Sequence, residues 1–371
     1  MKITIVGAGP RGLATALYAL YKNYEVNLID PFPLHTWSSN YLIEDLEMRS
    51  PITFDLVTFV EELQDFRLAN YLNYNIPFTN NQVSVESCNI KVTRKEFCEY
   101  INWIYKLINK KVKVIKDTVI GVEGNNVKLS KGKVIKGDAV IFCTGYKGID
   151  NTPNWLQKTS FSSKKILLLD VLKSPLDYLN KKWLVIGSGQ GAAEQVDYFS
   201  KLNGKVYWAM KKVPKVYQYP APNYQLWGSK TALGKYYRNL KDNQQKLAYL
   251  NKVKEWQPSI TPYINNKLNL TNHTQIIIQD YVELQSLDID YLSLASGITP
   301  SFNTLPVKVP NNFYLPNFPD ITNNFKINYP KSNWYVSGIL ATAFDGPRQH
   351  SLISAGLTAK EIIENIENGN I

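Results

Sequence analysis

The amino-acid sequence predicts an α/β fold, and two observations carry that prediction. An apolar strand, a glycine-rich turn and a helix with apolar residues at helical spacing follow one another at residues 2–21. The same order returns at residues 182–202, which lie 180 residues further along the chain. This order is typical of the first half of a Rossmann-like, dinucleotide-binding domain. Since 371 residues leave room for two or three domains of about 100–200 residues each, we predict two such domains.

The first glycine-rich turn follows residues 2–6 and carries Gly7, Gly9 and Gly12 in a G-x-G-x-x-G pattern. The first glycine permits a tight turn, the second lets the backbone approach a diphosphate, and the third lets the helix pack closely. The helix then points free N–H groups and its positive dipole end at the phosphates. Asp30 ends the next apolar run, where its carboxylate can accept hydrogen bonds from a ribose. The predicted ligands of the first dinucleotide are Gly7, Gly9, Pro10, Arg11, Gly12 and Asp30, with the Arg11 charge drawn to the diphosphate.

The second glycine-rich turn follows a strand at residues 183–186 and has glycine, glycine and alanine at the same three positions. The next strand, at residues 205–210, ends in Lys211 and Lys212 rather than in an acid. A cation there suits the 2′-phosphate of NADPH, which a carboxylate would repel. The alternative is that two lysines end a solvated strand in a lysine-rich chain. The predicted ligands of the second nucleotide are Gly187, Gly189, Gln190, Gly191, Ala192, Lys211 and Lys212.

Two nucleotide sites with different ribose chemistry indicate one tightly held cofactor and one exchanging reductant. The corresponding chemistry is hydride transfer from a nicotinamide to a flavin, for which the protein supplies position and electrostatics. Cys88, Cys98 and Cys143 form no C-x-x-C pair and no ligand-spaced cluster. A disulfide framework, a zinc site and a dithiol redox centre therefore lack support, and no metal site is predicted.

Composition disfavours several other classes of protein. Hydrophobic residues make up 44% and charged residues 20% of the chain, and no apolar stretch approaches the roughly 18 residues of a membrane span. Met1 runs directly into a strand, so we expect no secretory signal and a cytoplasmic protein. The formal charge of +11 comes from scattered lysines, which argues against a nucleic-acid partner. Assembly into a homo-oligomer stays open.

Four segments carry a resemblance to known enzymes. Residues 138–146 read D-A-V-I-F-C-T-G-Y, which resembles the D-x3-(L/F)-A-T-G-Y signature of NADPH-dependent flavin monooxygenases, with Cys143 where alanine is usual. A weaker copy, D-Y-L-S-L-A-S-G, stands at residues 290–297. Residues 94–103 resemble the R-x-E-F-x-x-Y-x-x-W helix of the lysine and ornithine N-hydroxylases, and G-S-G-Q-G-A-A-E at residues 187–194 is similar to their second fingerprint.

The resemblance implies how the domains are arranged. In flavoproteins of this kind, ATG-like turns mark where the chain passes between domains, which implies an NADPH domain inserted into a split FAD domain. We therefore expect the FAD domain at residues 1–165 and 286–371 and the NADPH domain at residues 175–285. Thr144 and Gly145 are expected to contact FAD. The aromatic segment at residues 216–241 could stack single-stranded nucleic acid, but a lid or substrate-facing insertion is favoured because it follows a strand end of the second domain.

Further candidates lie near the expected flavin ring. Gly346 leads into a helix at residues 351–367, and a helix N-terminus there could stabilise negative charge near flavin N1. Gln349 and His350 could add hydrogen bonds, although a surface histidine at a helix start is the plain alternative. Arg49 could pair with a phosphate or a substrate carboxylate, or stay solvated. The catalytic candidates are therefore Arg49, Gln349 and His350, and the further cofactor contacts are Trp37, Gly338 and Gly346, with Trp37 equally compatible with a core position.

The sequence thus predicts an FAD- and NADPH-dependent oxidoreductase. The resemblance implies a monooxygenase that transfers one oxygen atom of dioxygen to the nitrogen of a small amine through a C4a-hydroperoxyflavin. The predicted partners are a small-molecule substrate and dioxygen, without nucleic acid or membrane. One alternative is an NAD(P)H oxidoreductase that reduces a quinone or another small acceptor without oxygen insertion. The other is a non-catalytic flavoprotein that binds nucleotides.

Overall fold

The computed structural model describes most of the chain, including both glycine-rich turns. Trp37 and residues 217–231 of the aromatic segment lie outside the described residues. The described residues are 1–34, 43, 45–74, 90–145, 148–150, 152–156, 160–216, 232–256, 260–278, 281–313, 315–322, 324–330 and 332–369.

Strands and helices alternate through this part of the chain. The strands are β1 (Lys2–Val6), β2 (Glu25–Ile29), β3 (Glu47–Pro51), β4 (Lys91–Thr93), β5 (Lys113–Ile115), β6 (Val119–Glu123), β7 (Asn126–Leu129), β8 (Val134–Lys136), β9 (Ala139–Phe142), β10 (Gly148–Asp150), β11 (Lys182–Ile186), β12 (Lys205–Met210), β13 (His273–Ile277), β14 (Tyr291–Leu294), β15 (Ile298–Pro300) and β16 (Trp334–Val336). The α-helices are α1 (Pro10–Tyr21), α2 (Leu68–Tyr71), α3 (Arg94–Asn109), α4 (Leu168–Lys173), α5 (Gln190–Lys201), α6 (Ala232–Asn239), α7 (Asn243–Trp256), α8 (Pro262–Leu268), α9 (Thr342–Asp345) and α10 (Ala355–Glu367).

The first sheet is parallel and has the strand order β16-β9-β1-β2-β5. Its central strands are buried on both faces, since Ile3 and Thr4, which point to opposite faces of β1, are both 0% exposed. Such burial is usual for parallel strands covered by helices. Helix α1 returns the chain from β1 to β2 and packs against α3 and α10. Because the strands run in one direction, the segments that follow β1, β2, β9 and β16 meet at one edge of the sheet.

The second sheet is also parallel and has the strand order β13-β12-β11-β14. Helix α5 joins β11 to β12 and packs against α8, and the Trp183 ring of β11 stacks on Phe199 of α5 at 3.9 Å between centroids. Strand β14 pairs with β11, with Leu184 opposite Leu292. The second unit therefore continues past residue 285, where the sequence placed its end, because the apolar strand before the second ATG-like turn fills the place beside β11.

The second unit also recruits residues from before residue 175. Leu156 and Phe161 are buried in one cluster with Leu184 and Leu292, and Val171 joins the cluster around Trp183. The core of this unit therefore begins earlier in the chain than predicted. The two connections between the units run side by side, since β10 pairs antiparallel with β15. This pairing is what an inserted domain needs, because the chain must leave and return at neighbouring places.

The R-x-E-F-x-x-Y-x-x-W segment forms α3 and has identifiable packing tasks. Thr93 and Glu96 form a capping box, in which the Glu96 N–H donates to Thr93 Oγ1 at 3.2 Å and the Thr93 N–H donates to Glu96 Oε2 at 2.7 Å. The Tyr100 hydroxyl donates to the Phe66 carbonyl oxygen at 2.8 Å, and Trp103 packs against Tyr100. The glutamate of this motif therefore starts the helix.

The smaller sheets are antiparallel. Strands β6, β7 and β8 form a meander between β5 and β9, and β3 pairs with β4. Within the part of the chain that the structure describes, no helix combines the length and the apolar character that crossing a bilayer requires.

Candidate functional site

The first glycine-rich turn divides its three glycines between two tasks. Gly7 has φ +106°, and a Cβ there would lie 2.4 Å from the Cys143 carbonyl oxygen. A Cβ on Gly12 would lie 1.9 Å from the Gly7 carbonyl oxygen, whereas a Cβ on Gly9 would meet no atom within 4 Å. Gly7 and Gly12 are therefore required by the packing of strand, turn and helix. Gly9 borders open space that a diphosphate could fill.

The start of α1 has the features of an anion site. Gly9 is its N-cap residue, no side chain caps the first turn, and Pro10 takes the first helical position. The N–H groups of such a turn and the helix dipole both favour an anionic ligand. Asp30, at the end of β2, accepts hydrogen bonds from the N–H groups of Ala8 at 2.7 Å and Phe32 at 2.8 Å. Asp30 therefore shapes the turn, and each of its oxygens retains a lone pair for another donor.

The second glycine-rich turn repeats this division. Gly187 has φ +146°, and a Cβ there would lie 2.3 Å from the Ala295 carbonyl oxygen. Gly189 is the N-cap residue of α5 without a side-chain cap, and a Cβ on Gly189 or Gly191 would meet no atom within 4 Å. Sequence reasoning missed one contact here, since Trp208 Nε1 donates to the Gly187 carbonyl oxygen at 2.7 Å. The indole thus fixes the carbonyl at the beginning of the turn.

The aspartates that open the two ATG-like segments are structural clamps. Asp138 Oδ2 accepts a hydrogen bond from the Lys2 N–H at 2.7 Å, and its own N–H donates to the Lys2 carbonyl oxygen at 2.8 Å. Asp290 makes the same two contacts with Lys182, both at 2.8 Å. Each aspartate ties two neighbouring strands together at their starts. The shared register then brings the ATG-like turn against the glycine-rich turn at the other end.

The first ATG-like turn places Thr144 and Gly145 at the edge where the first glycine-rich turn lies. The Thr144 nitrogen is 3.3 Å from where a Gly7 Cβ would stand, and Gly145, at φ +77°, has open space beside its Cα. Cys143 is 3% exposed, and burial raises the pKa of its thiol to about 11. The thiol is therefore protonated at neutral pH and acts as a packing group beside Thr15, whose Oγ1 is 3.7 Å from the sulfur.

Gln190, a predicted contact of the second nucleotide, is bonded within the protein. Its Nε2 donates to Glu194 Oε1 at 2.9 Å, and its Oε1 accepts from the Thr261 N–H at 2.9 Å. Glu194 Oε2 in turn pairs with Arg94 Nη2 of α3 at 2.5 Å. The side chain of Gln190 thus links α5, the start of α8 and, through Glu194, the first unit.

Lys211 and Lys212 are the residues that the sequence predicts as ligands of a ribose phosphate. They follow β12 directly and are exposed. Because β12 runs parallel to β11, the two lysines and Gly187 lie at the same edge of the second sheet.

Arg11 and Gln349, predicted separately as a diphosphate contact and a catalytic candidate, bind each other. Arg11 Nη1 donates to Gln349 Oε1 at 2.9 Å, and Arg11 Nη2 donates to the carbonyl oxygens of Gln349 and Ser351 and to Ser354 Oγ, each at 2.8 Å. Burial lowers the pKa of Arg11 to about 10, so the guanidinium is charged at neutral pH. Its terminal nitrogens are thus directed at residues 349–354.

The Gln349 amide is also fully engaged. Its Nε2 donates to Asp345 Oδ2 at 2.5 Å and to Thr358 Oγ1 at 2.8 Å, and its Oε1 also accepts from the Gly338 N–H at 3.2 Å. Gly338 has φ +95°, and a Cβ there would lie 2.9 Å from Arg11 Cδ. Gly338 therefore makes room for the Arg11 side chain, and the structure gives Gln349 an internal structural role.

Asp345 is a buried charge that sequence reasoning missed. It is 0% exposed, and its two oxygens lie 2.8 Å from Arg238 Nη2 and 2.7 Å from Arg348 Nη2. Burying this carboxylate is tolerable only because cations and hydrogen-bond donors surround it. The adjacent Gly346 has φ +70°, and a Cβ there would lie 2.7 Å from the Tyr237 ring. Helix α6 thereby packs on the segment that follows α9. The sequence signal for this buried carboxylate was an aspartate within the apolar run A-T-A-F-D-G.

Of the two remaining catalytic candidates, the structure describes the side chain of Arg49. Arg49 is exposed on β3, and its carbonyl oxygen accepts a hydrogen bond from Lys91 Nζ at 2.9 Å. The His350 side chain lies outside what the structure describes. Among the described residues, no group of three or more His, Cys, Asp or Glu side chains is arranged to hold a metal ion.

Two parallel-sheet units, each with an open glycine-rich turn at an uncapped helix start, define a two-nucleotide oxidoreductase architecture. The family model described as L-lysine 6-monooxygenase/L-ornithine 5-monooxygenase matches residues 1–212, which is more than half of the chain. The protein therefore belongs to the L-lysine 6-monooxygenase/L-ornithine 5-monooxygenase family. This membership confirms the predicted resemblance, the oxidoreductase class, and the use of FAD and NADPH by an amine monooxygenase.

Solved structures of low sequence identity share the whole fold. An ornithine N-hydroxylase from Kutzneria sp. 744, described with reduced FAD, NADP⁺ and L-ornithine, is 16% identical with a TM-score of 0.79, covering 100% of this chain and 99% of that one. An L-lysine 6-monooxygenase from Pseudomonas syringae is 16% identical with a TM-score of 0.74, covering 99% of both chains. A cadaverine monooxygenase from Erwinia amylovora is 15% identical with a TM-score of 0.74, covering 99% and 94%. These matches confirm the predicted fold class. A comparison with curated proteins gave no match.

Proposed function

We propose that the protein hydroxylates the terminal nitrogen of a small primary amine, with FAD held at the first glycine-rich turn and NADPH at the second. The balanced reaction consumes R–NH2, dioxygen, NADPH and a proton and yields R–NHOH, NADP⁺ and water. The observation that carries this proposal is the family match over residues 1–212, a range that contains both turns.

The residues at the first turn suit FAD. Open space beside Gly9 and the uncapped start of α1 leave room and free N–H groups for a diphosphate. Asp30 stands at the end of β2, where its oxygens can accept from ribose hydroxyl groups. Thr144 and Gly145 border the same edge of the sheet. Bound there, the flavin would supply the oxygen-activating redox chemistry, and the protein would position it and keep water away.

The residues at the second turn suit NADPH. Gly189 and Gly191 border open space at the uncapped start of α5. The two exposed ammonium groups of Lys211 and Lys212 can pair with a 2′-phosphate, which distinguishes NADPH from NADH. The amide of Gln190 is bonded to Glu194 and Thr261, so we assign diphosphate binding to the backbone of this turn and not to that side chain.

The substrate class follows from what the similar proteins share. Ornithine, lysine and cadaverine, which the names of the three similar structures give, all carry a primary amino group at the end of an unbranched carbon chain. Ornithine and lysine add an α-carboxylate, which cadaverine lacks. We therefore propose a terminal amine as the reacting group, and Arg49 is our candidate partner for a substrate carboxylate.

The test is a substrate panel with purified, FAD-loaded protein. Ornithine, lysine and cadaverine would each be supplied with NADPH and oxygen, and hydroxylamine product, NADPH consumption and hydrogen peroxide would be measured together. We expect hydroxylamine from at least one amine in proportion to NADPH consumed. NADPH consumption that yields only peroxide or a reduced acceptor across the panel would contradict N-hydroxylation. Failure of NADPH to reduce the flavin would contradict the proposed assignment of the second turn.

A further inference from the structure

We infer that Arg11 is a positioning residue that fixes residues 346–354 against the first glycine-rich turn and so shapes the flavin end of the FAD site, rather than a ligand of the diphosphate. This inference rests on the proposed placement of FAD. We call residues 346–354 the C-terminal segment. It follows α9 and leads into α10.

The contacts of Arg11 all point to this segment. The guanidinium donates to an amide oxygen, two carbonyl oxygens and a hydroxyl oxygen, all within residues 349–354 and all at 2.8–2.9 Å. These acceptors lie 338 or more residues away in the chain, so the arginine connects the start of the first unit to its end. A guanidinium has five N–H donors in a fixed fork, and here both terminal nitrogens donate to protein oxygens.

The segment that Arg11 holds is itself rigidly built. Gln349 bridges Arg11 to Asp345, and Arg348 and Arg238 neutralise Asp345 from two sides. Arg348 Nε and Gln349 Nε2 both donate to Asp345 Oδ2, and buried bonds of this kind restrict the arrangement of the backbone that carries them. The segment follows β16, so it lies at the sheet edge shared with Gly7–Gly12 and Cys143–Gly145. Arg11 therefore joins two walls of one site.

The second unit supplies an internal comparison. Its fingerprint has Gly191 where the first has Arg11, since each residue stands two positions after the second fingerprint glycine. Gly191 has no side chain, and a Cβ there would meet no atom within 4 Å. A diphosphate site of this geometry thus does not require a cation at this position. What the first unit has in addition is the C-terminal segment, and Arg11 is the residue that reaches it.

The experiment compares FAD with ADP, which contains the diphosphate, ribose and adenine but lacks the flavin. Dissociation constants of both would be measured on full-length protein freed of flavin, with excess NADP⁺ filling the second unit. The variants are Arg11→Gln, Arg11→Lys and, from the opposite side of the contact, Gln349→Met. We expect each to weaken FAD by about tenfold to a hundredfold, the loss of one charged hydrogen-bond set, and to change ADP less than about twofold.

Lys22→Met is the matched control, because Lys22 also joins α1 to α10, through Glu367 at 2.7 Å, but at the opposite end of the helix. It should change neither dissociation constant. Thermal unfolding and the visible circular dichroism of bound flavin would accompany each titration. Arg11→Lys keeps a buried cation, so it tests the contact even if Arg11→Gln folds poorly. In folded variants, the flavin circular dichroism should change for Arg11→Lys and Gln349→Met and stay unchanged for Lys22→Met.

Equal weakening of FAD and ADP in the Arg11 variants would assign the guanidinium to the diphosphate and overturn the inference. Affinities equal to those of Lys22→Met would overturn it as well, by showing that the contact does not affect the site. A wild-type protein that takes up no FAD would overturn the proposed function and this inference together. Uptake by the wild type with unaffected variants would overturn only the inference.

Discussion

The open glycines allow ligand binding to be removed one nucleotide at a time without disturbing the fold. A Cβ on Gly9 or on Gly189 meets no protein atom within 4 Å, and both residues have extended backbone angles, with φ −79° and φ −99°. Gly9→Ala and Gly189→Ala therefore place a methyl group only where a diphosphate would approach. We expect Gly9→Ala to lose FAD and Gly189→Ala to lose productive NADPH binding.

The magnitude follows from the N–H groups at each helix start. A hydrogen bond to a charged oxygen contributes about 1.5–3 kcal/mol, so displacing the diphosphate from two of them costs about 3–6 kcal/mol. That loss corresponds to about 10²–10⁴ in the dissociation constant. The free energy of unfolding should fall by only about 1 kcal/mol or less, because neither glycine nor alanine has a side-chain oxygen that could cap the helix at the N-cap position.

The assay uses the flavin as its own reporter. Purified Gly9→Ala protein should be colourless and need about 10²–10⁴ times more FAD for half saturation. Gly189→Ala protein should remain yellow, but its anaerobic reduction should require a correspondingly higher NADPH concentration. Each variant thus controls for the other. Gly7→Ala is the contrasting case, because its Cβ would lie 2.4 Å from the Cys143 carbonyl oxygen at φ +106°, and it should destabilise the protein by about 2 kcal/mol or more.

Two results would refute this reasoning. FAD affinity within about threefold of wild type in Gly9→Ala, which is less than 1 kcal/mol, would show that no diphosphate sits against that turn. Loss of FAD from Gly189→Ala would show that the two turns do not hold separate nucleotides.

Three further predictions test other parts of the structure. Replacing Lys211 and Lys212 by serine should raise KM for NADPH about tenfold through lost phosphate pairing and leave KM for NADH unchanged; equal changes for both nucleotides would contradict the assignment. Because burial raises the pKa of Cys143 to about 11, about one thiol in a thousand is ionised at pH 8, so iodoacetamide should spare Cys143 in native protein and modify it after denaturation, as peptide mass spectrometry would report. Arg94→Met leaves Glu194, at 7% side-chain exposure, without its cation and should lower the free energy of unfolding by about 2–4 kcal/mol; adding Glu194→Gln should restore part of that loss, and additive effects in the double variant would rule out the pairing.

Local sequence patterns predicted the sheets well, because each glycine-rich turn fixes a strand before it and a helix after it. The predicted strands at residues 2–6 and 205–210 have those bounds in the structure. The boundary at residue 285 failed for a reason that local patterns do not contain. The apolar sequence of β14 would suit a strand of either unit. Only the pairing of β14 with β11 assigns it to the second unit.

Side-chain roles were less accessible to sequence reasoning, because they depend on partners distant in the chain. Arg11 lies in a diphosphate-binding motif and Gln349 near a predicted helix start, yet each one's partner is the other, 338 residues away. Gln190 likewise lies in a fingerprint but bonds to Thr261, 71 residues on. A motif indicates where the backbone turns, whereas the direction of a polar side chain depends on which acceptors the tertiary fold brings near.

The two units build their glycine-rich turns with the same backbone contacts and differ in the side-chain contacts around each proposed nucleotide site. Both place the first fingerprint glycine against a carbonyl oxygen, of Cys143 or Ala295, so these contacts carry no information about which nucleotide binds. The position two residues after the second fingerprint glycine does differ between the units. In the first unit Arg11 binds the C-terminal segment, whereas in the second unit Gly191 has no side chain that could make such a contact. A cofactor held through many turnovers needs a site closed from more than one side, while a reductant that exchanges in each cycle needs an open one. The side chain of Arg11 is therefore the feature by which the site for a tightly held nucleotide differs from the site for an exchanging one.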